Sequence, residues 1–228
     1  MDNRRYFGPG GWVLRVLLAA ALAVVGAGLG LALTAPAGDP GLTAGVRAAL
    51  PASGAGNPVT AVLLNFRGYD TLLEMAVLTA ALAGVWSLGR AHRTRFIRPS
   101  PVLTALTRVL APLFPLVCGY LLWAGADHPG GAFQAGAVLA TAAVLHVLSA
   151  PERGPRLPEL PLRLAAVAGL AVFLAVALGV MTGGARFLEY PPALVKWLML
   201  AIETAAMLSI AAILAGLFLG GRPGQPDD

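Results

Sequence analysis

Residues 57–79 read NPVTAVLLNFRGYDTLLEMAVLT, a stretch in which two carboxylates and an arginine stand among apolar side chains. In a helix running from about Phe66, Arg67, Asp70 and Glu74 are spaced i, i+3 and i+7, which places all three on one face. On insertion scales a charge in hydrocarbon costs about 2.5 to 3.5 kcal/mol, so the stripe is expected to pair or to face protein and water. It marks an interior surface. Upstream, Asn57 before Pro58 predicts a helix start, with a capping side chain followed by proline at the first helical position. The apolar segment 57–66 is too short for a hydrocarbon core that needs about 20 residues. It reads as a short interfacial or re-entrant helix, and Gly68 permits a bend before the next helix, 69 to about 88.

Composition points to lipid as the solvent of these apolar runs. The 228 residues are 57% hydrophobic and 12% charged, against about 25% charged in soluble proteins. The expected class is an all-α integral membrane protein with about six transmembrane helices plus the short helix. The net charge of +5 does not imply nucleic acid, because basic residues collect in cytoplasmic loops. A single cysteine, Cys118 in an apolar run, excludes an internal disulfide and any multi-cysteine metal site. It reads as a small packing residue.

The first apolar run, 13 to about 33, exceeds the usual signal-peptide core of about 7 to 15 residues and reads as an uncleaved span. Residues 35–56 form a Pro-, Gly- and Ala-rich loop with room for one short interfacial helix. After the helix 69–88 come Arg90, Arg93, Arg95 and Arg98, the strongest cytoplasmic signal in the chain. The run 102–123 carries Arg108 near its start and Pro112 and Pro115 near its middle, which predicts a kink. A short polar turn with Asp127 and His128 leads into the fourth span, followed by a proline-rich connection, 151–163. The last two spans are 164–182 and about 193–219. With both termini cytoplasmic, Arg4, Arg5, Arg15, Arg90, Arg93, Arg95, Arg98, Arg108, Arg153, Arg156, Arg163 and Arg222 fall inside. Arg47, Arg67, Arg186 and Lys196 fall on the other side, and this asymmetry supports that orientation in the cell inner (plasma) membrane.

Other polar residues within apolar runs are few. Gly130, Gly131 and Gly136 allow close backbone approach and can present helix N-terminal amides inside a packed interface. Glu203 is a second buried-acid candidate, on the same helical face as Lys196 seven residues earlier. His146 lies deep in its run, where a lone histidine is more often satisfied by a carbonyl than used in proton transfer. Metal-ligand spacing, nucleotide loops, nucleophile triads and cofactor fingerprints are all missing from the sequence, so chemistry of its own is not expected. The lack of internal repeats weighs against autonomous transport.

The stretch from Asn57 to Glu74 resembles a motif of the membrane-bound hydrogenase and Mrp antiporter families. Val59, Thr60, Ala61, Leu64, Phe66, Arg67, Gly68, Asp70, Thr71, Leu72 and Glu74 carry the match. The turn from Pro129 through Gly130, Gly131, Phe133 and Gly136 is similar to that of the MnhB-type domain of Mrp antiporters, and Ala201 to Glu203 looks like that domain's acidic helix start. Three departures stand out: Asn65 replaces an acid, Ala126 replaces a histidine with His128 displaced, and the residues after Glu203 lack a glycine. The resemblance implies a fused chain. Residues 1–98 would be a two-helix portion like the small E-type component of the membrane-bound hydrogenases, with the short helix at 57–66. Residues 99–228 would be a four-helix, MnhB-like portion.

By the same resemblance, the chain is expected to be a non-autonomous subunit of a multisubunit Na+/H+ antiporter or related energy-converting complex. It would carry no cofactor of its own, and Na+ or H+ would be the transported species. Other membrane subunits and lipid are the expected partners. Asp70 and Glu74 would bind or relay the ion with Arg67 as ion-pair partner, and Thr60, Thr71, Glu203 and His146 complete the candidates. Two alternatives stand beside this: a purely structural subunit in which the ion pair locks the bend at Gly68, and a stand-alone transporter.

Overall fold

The computed structural model describes residues 9–34, 41–88, 100–149 and 159–220. The arginine-rich loop holding Arg90, Arg93, Arg95 and Arg98 lies outside the described residues. So do Arg153 and Arg156 of the proline-rich connection, and Arg4, Arg5 and Arg222 near the ends. The described elements are all helical, and the chain divides into two compact units, residues 1–45 and 46–228. In the first unit α1, Pro9–Thr34, has 26 residues. A helix α2, Gly41–Ala49, and a tight turn, Leu50–Ala52, follow where a short helix was expected within 35–56.

The second unit begins within α2 and continues into α3, Pro58–Ala61, which widens into a π-type turn over Val62–Phe66. Its start has the expected cause: the Asn57 side chain accepts the Val59 N–H at 2.8 Å, and Pro58 has no N–H to leave unsatisfied. The Arg67 N–H donates to the Val62 carbonyl at 2.7 Å, after which the chain turns and α4, Gly68–Ser87, begins. The Thr71 hydroxyl donates back to the Leu63 carbonyl at 2.6 Å and ties α4 to the segment before the corner.

The prolines break the next span as their position predicts. Helices α5, Pro101–Leu110, and α6, Leu113–Ala124, meet at a bend of 43°, because Pro112 supplies no N–H to continue the ladder. Three further helices complete the unit: α7, Ala132–Ser149, α8, Glu159–Thr182, and α9, Val195–Leu219. Helix α8 begins about a turn before the expected boundary. Among the described residues four helices are long and apolar enough to cross a membrane, namely Gly68–Ser87, Ala132–Ser149, Leu160–Thr182 and Val195–Leu219, and the bent pair, taken as one span, makes a fifth. The sixth expected span rests on α1, whose apolar stretch Arg15–Leu31 is shorter than those four.

Helix α9 is the centre of the unit, lying along α7 and α8 and touching α4. In lipid no hydrophobic force drives helices together, so small residues and hydrogen bonds must hold them. Both are present. A side chain at Gly136 would put its Cβ 2.8 Å from Ile210 Cβ and 3.0 Å from the Met207 carbonyl, so glycine sets the approach of α7 to α9. The buried Ser209 hydroxyl donates to the Ala166 carbonyl at 2.6 Å across the α8–α9 contact. Cys118 packs at the α6–α7 contact, its thiol 3.3 Å from the Ala135 carbonyl. Substituting Gly136→Val should cost about 1 to 3 kcal/mol through overpacking. Denaturant unfolding in detergent micelles measures this, and unchanged stability would show that the α7–α9 approach is not tight.

Candidate functional site

Several chain segments meet at one end of the second unit. The Gly56 and Asn57 N–H groups both donate to the Ala126 carbonyl at 3.0 Å, and the Thr60 hydroxyl donates to the Gly125 carbonyl at 2.5 Å. These bonds dock the short helix on the turn that joins α6 to α7. Asn65, at the position where the family motif carries an acid, donates its amide to the Ser53 carbonyl at 2.9 Å and holds the same segment from its other end. Leu188, with φ of 63°, lies against Gly68 and covers the corner, while Tyr69 meets Phe187 edge to face at 6.4 Å.

The turn itself aims a helix terminus. The Gly131 N–H donates to the Leu121 carbonyl at 2.9 Å, folding Pro129, Gly130 and Gly131 back on the end of α6. Gly131 has φ of 104°, and a Cβ there would lie 2.9 Å from Glu203 Oε1, so only glycine suits the position. The Ala132 N–H, at the start of α7, donates to the Glu203 carboxylate. A carboxylate at a helix N-terminus meets both free N–H groups and the positive end of the helix dipole. Phe133 packs into the cluster of Met75, Ala132, Ala206 and Ile210 just beyond.

Glu203 is 6% exposed although it lies within a membrane span. It borders a cavity of about 60 Å³, with Thr60, Trp123, Asp127, Lys196 and Trp197 also in the lining. Lys196 and Glu203 thus share a face, as their spacing predicted. The indoles of Trp123 and Trp197 and the role of Ser53 and Leu188 were not anticipated. Nothing in a linear reading brings residues 123 and 197 together.

The stripe on α4 is placed differently from the expectation. Arg67 and Asp70 form the expected pair, Nη2 to Oδ2 2.5 Å, across the start of α4. Arg67 and Glu74 are exposed and Asp70 half-exposed, so the stripe lies on the outer face of this chain rather than in its interior. The reason is local: Thr71, Leu72 and Met75 take the inward positions of α4, which leaves residues 67, 70 and 74 pointing away. His146 is exposed in the last turn of α7, about 20 Å along the helix from the Glu203 end. The structure therefore gathers Thr60 and Glu203, pairs Arg67 with Asp70, and leaves His146 apart.

A bundle of apolar helices with a broken span, a short docked helix before α4 and acids within its spans defines a multi-pass membrane subunit. Residues 102–221 match the domain related to the MnhB subunit of Na+/H+ antiporter, and the chain belongs to that family. Residues 14–102 match MbhE, the E subunit of MBH. A chain of the membrane-bound sulfane sulfur reductase (MBS), an archaeal respiratory membrane complex, is 26% identical with a TM-score of 0.67, covering 91% of this chain and 99% of that one. A chain of the Mrp complex from Dietzia sp. DQ12-45-1b shares the fold, with 24% identity and a TM-score of 0.67, over 94% of this chain and 27% of that longer one. No curated protein matches the sequence.

Two measurements check the local geometry. Gly131→Ala should lose about 1 to 3 kcal/mol from backbone strain, read as a lower thermal midpoint of the purified protein. Tyr190, in the α8–α9 connection, is buried with its hydroxyl unpartnered, and burial pushes the phenol above its usual range. Its folded state prefers the neutral form more than the unfolded state does. That contribution is intact below about pH 10 and is lost as pH rises beyond it. Tyr190→Phe should keep or raise stability at neutral pH and flatten the alkaline decline, as followed by circular dichroism.

Proposed function

We propose that this chain is a non-autonomous membrane subunit of an Mrp-related multisubunit cation/proton complex, and that it lines or supports a path for Na+ or H+. The observation that carries this reading is the α4 stripe: Arg67, Asp70 and Glu74 stand on the outer face of a membrane span. Glu74 lies about 9 Å along α4 from its start, and a carboxylate left against acyl chains is costly. Other membrane subunits of the complex therefore cover this face, and the acids become part of a path between chains. Family membership and the likeness to a chain of a respiratory membrane complex support such an assembly.

In this reading Glu74 and Asp70 hold or pass the cation or proton, with Arg67 as the paired charge and Thr60 and Thr71 holding the corner beside them. Residues 1–98 act as the MbhE-like portion and residues 99–228 as the MnhB-like portion. The protein carries out no catalysis of its own and sits in the plasma membrane with both termini cytoplasmic, in keeping with the charge asymmetry.

A second reading makes the chain structural only. The Arg67–Asp70 pair and the Thr71–Leu63 bond brace the corner at Gly68, which favours a lock. Glu74→Gln separates the two. In the intact complex it should abolish sodium-dependent proton flux in vesicles while co-purification of the subunits is unchanged. Normal flux in an assembled mutant complex excludes conduction through Glu74 and leaves the structural role.

A further inference from the structure

The Glu203 cavity is a separate matter from the α4 stripe. Its volume of about 60 Å³ accommodates a few water molecules, and its mostly apolar wall, with Met199 and Leu200, carries the polar groups of Thr60, Asp127, Lys196 and Glu203. Trp123, Asp127, Lys196 and Trp197 are exposed, so the cavity has its mouth at the end of the bundle and Glu203 at its inner wall. The seven residues between Lys196 and Glu203 correspond to about 10 Å along α9. Among the described residues the two make no direct ion pair.

The surroundings identify what such a site can take. The Glu203 carboxylate meets the Ala132 N–H and the N-terminus of α7, and the Lys196 ammonium and the Asp127 carboxylate share its cavity. A sodium ion needs several oxygen ligands and would meet N–H donors and a like charge. A proton needs one lone pair and a chain of water. The titratable groups facing the cavity are Glu203 and Lys196 from α9 and Asp127 from the α6–α7 turn, while α7, α8, α4 and the docked short helix bring none among the described residues.

We infer that Glu203 is a proton-exchange site in its own right. Its carboxylate takes a proton from hydronium in the cavity, forming the O–H bond and leaving water, and returns that proton by the reverse step. Lys196 and Asp127 at the mouth set the charge through which the proton passes. This site does not depend on conduction through Glu74.

The test uses the purified full chain in detergent and dicyclohexylcarbodiimide, which modifies protonated carboxyls in apolar surroundings, with peptide mass spectrometry across a pH series. Glu203 should be modified at acid pH, and above its midpoint modification should fall about tenfold per pH unit. Lys196→Gln removes a positive charge and should move the profile to higher pH, Asp127→Asn should move it to lower pH, and Lys196→Arg should leave it in place. Glu74→Gln should leave it in place too, so loss of flux in that variant and loss of Glu203 exchange are told apart. A Glu203 that is never modified, or is modified equally at every pH, overturns the inference, as does a profile unmoved by both charge-removing variants.

Discussion

Backbone groups that have no water available must find partners within the protein, and at one end of this bundle they find them on a single turn. The carbonyls of Gly125 and Ala126 accept from Thr60, Gly56 and Asn57, while the N–H at the far side of the same turn serves Glu203. A break in secondary structure thus satisfies two other pieces of chain at once. Without that turn the short helix would have no seat and the α9 acid no donor.

The two kinds of acid in this protein follow from how each is satisfied. Glu203 has an internal partner and sits inside the bundle, whereas Glu74 has none among the described residues and stays on its surface. A buried polar group is tolerated only when its hydrogen bonds are met, so the fold keeps one inside and exports the other. The exported acid lies on the outer face of α4, and the internal one borders the cavity at the bundle end.

Much of this was legible from residue order. Asn57–Pro58 marked a helix start, Pro112 and Pro115 a broken span, and the glycines after Pro129 a close approach, since each rests on a rule that acts within a few residues. The shared face of Lys196 and Glu203 followed from helical period alone. The direction of the α4 stripe did not, because periodicity says that three residues share a face and not which neighbour that face meets. The cavity was hidden for the same reason: Trp123, Asp127 and Lys196 are brought together by helix packing.

Sequence alone determined that the chain is a bundle of apolar helices, where they break, and which residues carry charge into them. Those features depend on local propensity and on the cost of charge in lipid. Tertiary structure decided that Glu203 answers to the start of α7 and that Arg67, Asp70 and Glu74 look outward. Such facts depend on which helices touch, and the contacts are made by glycines and small side chains that many pairings could use.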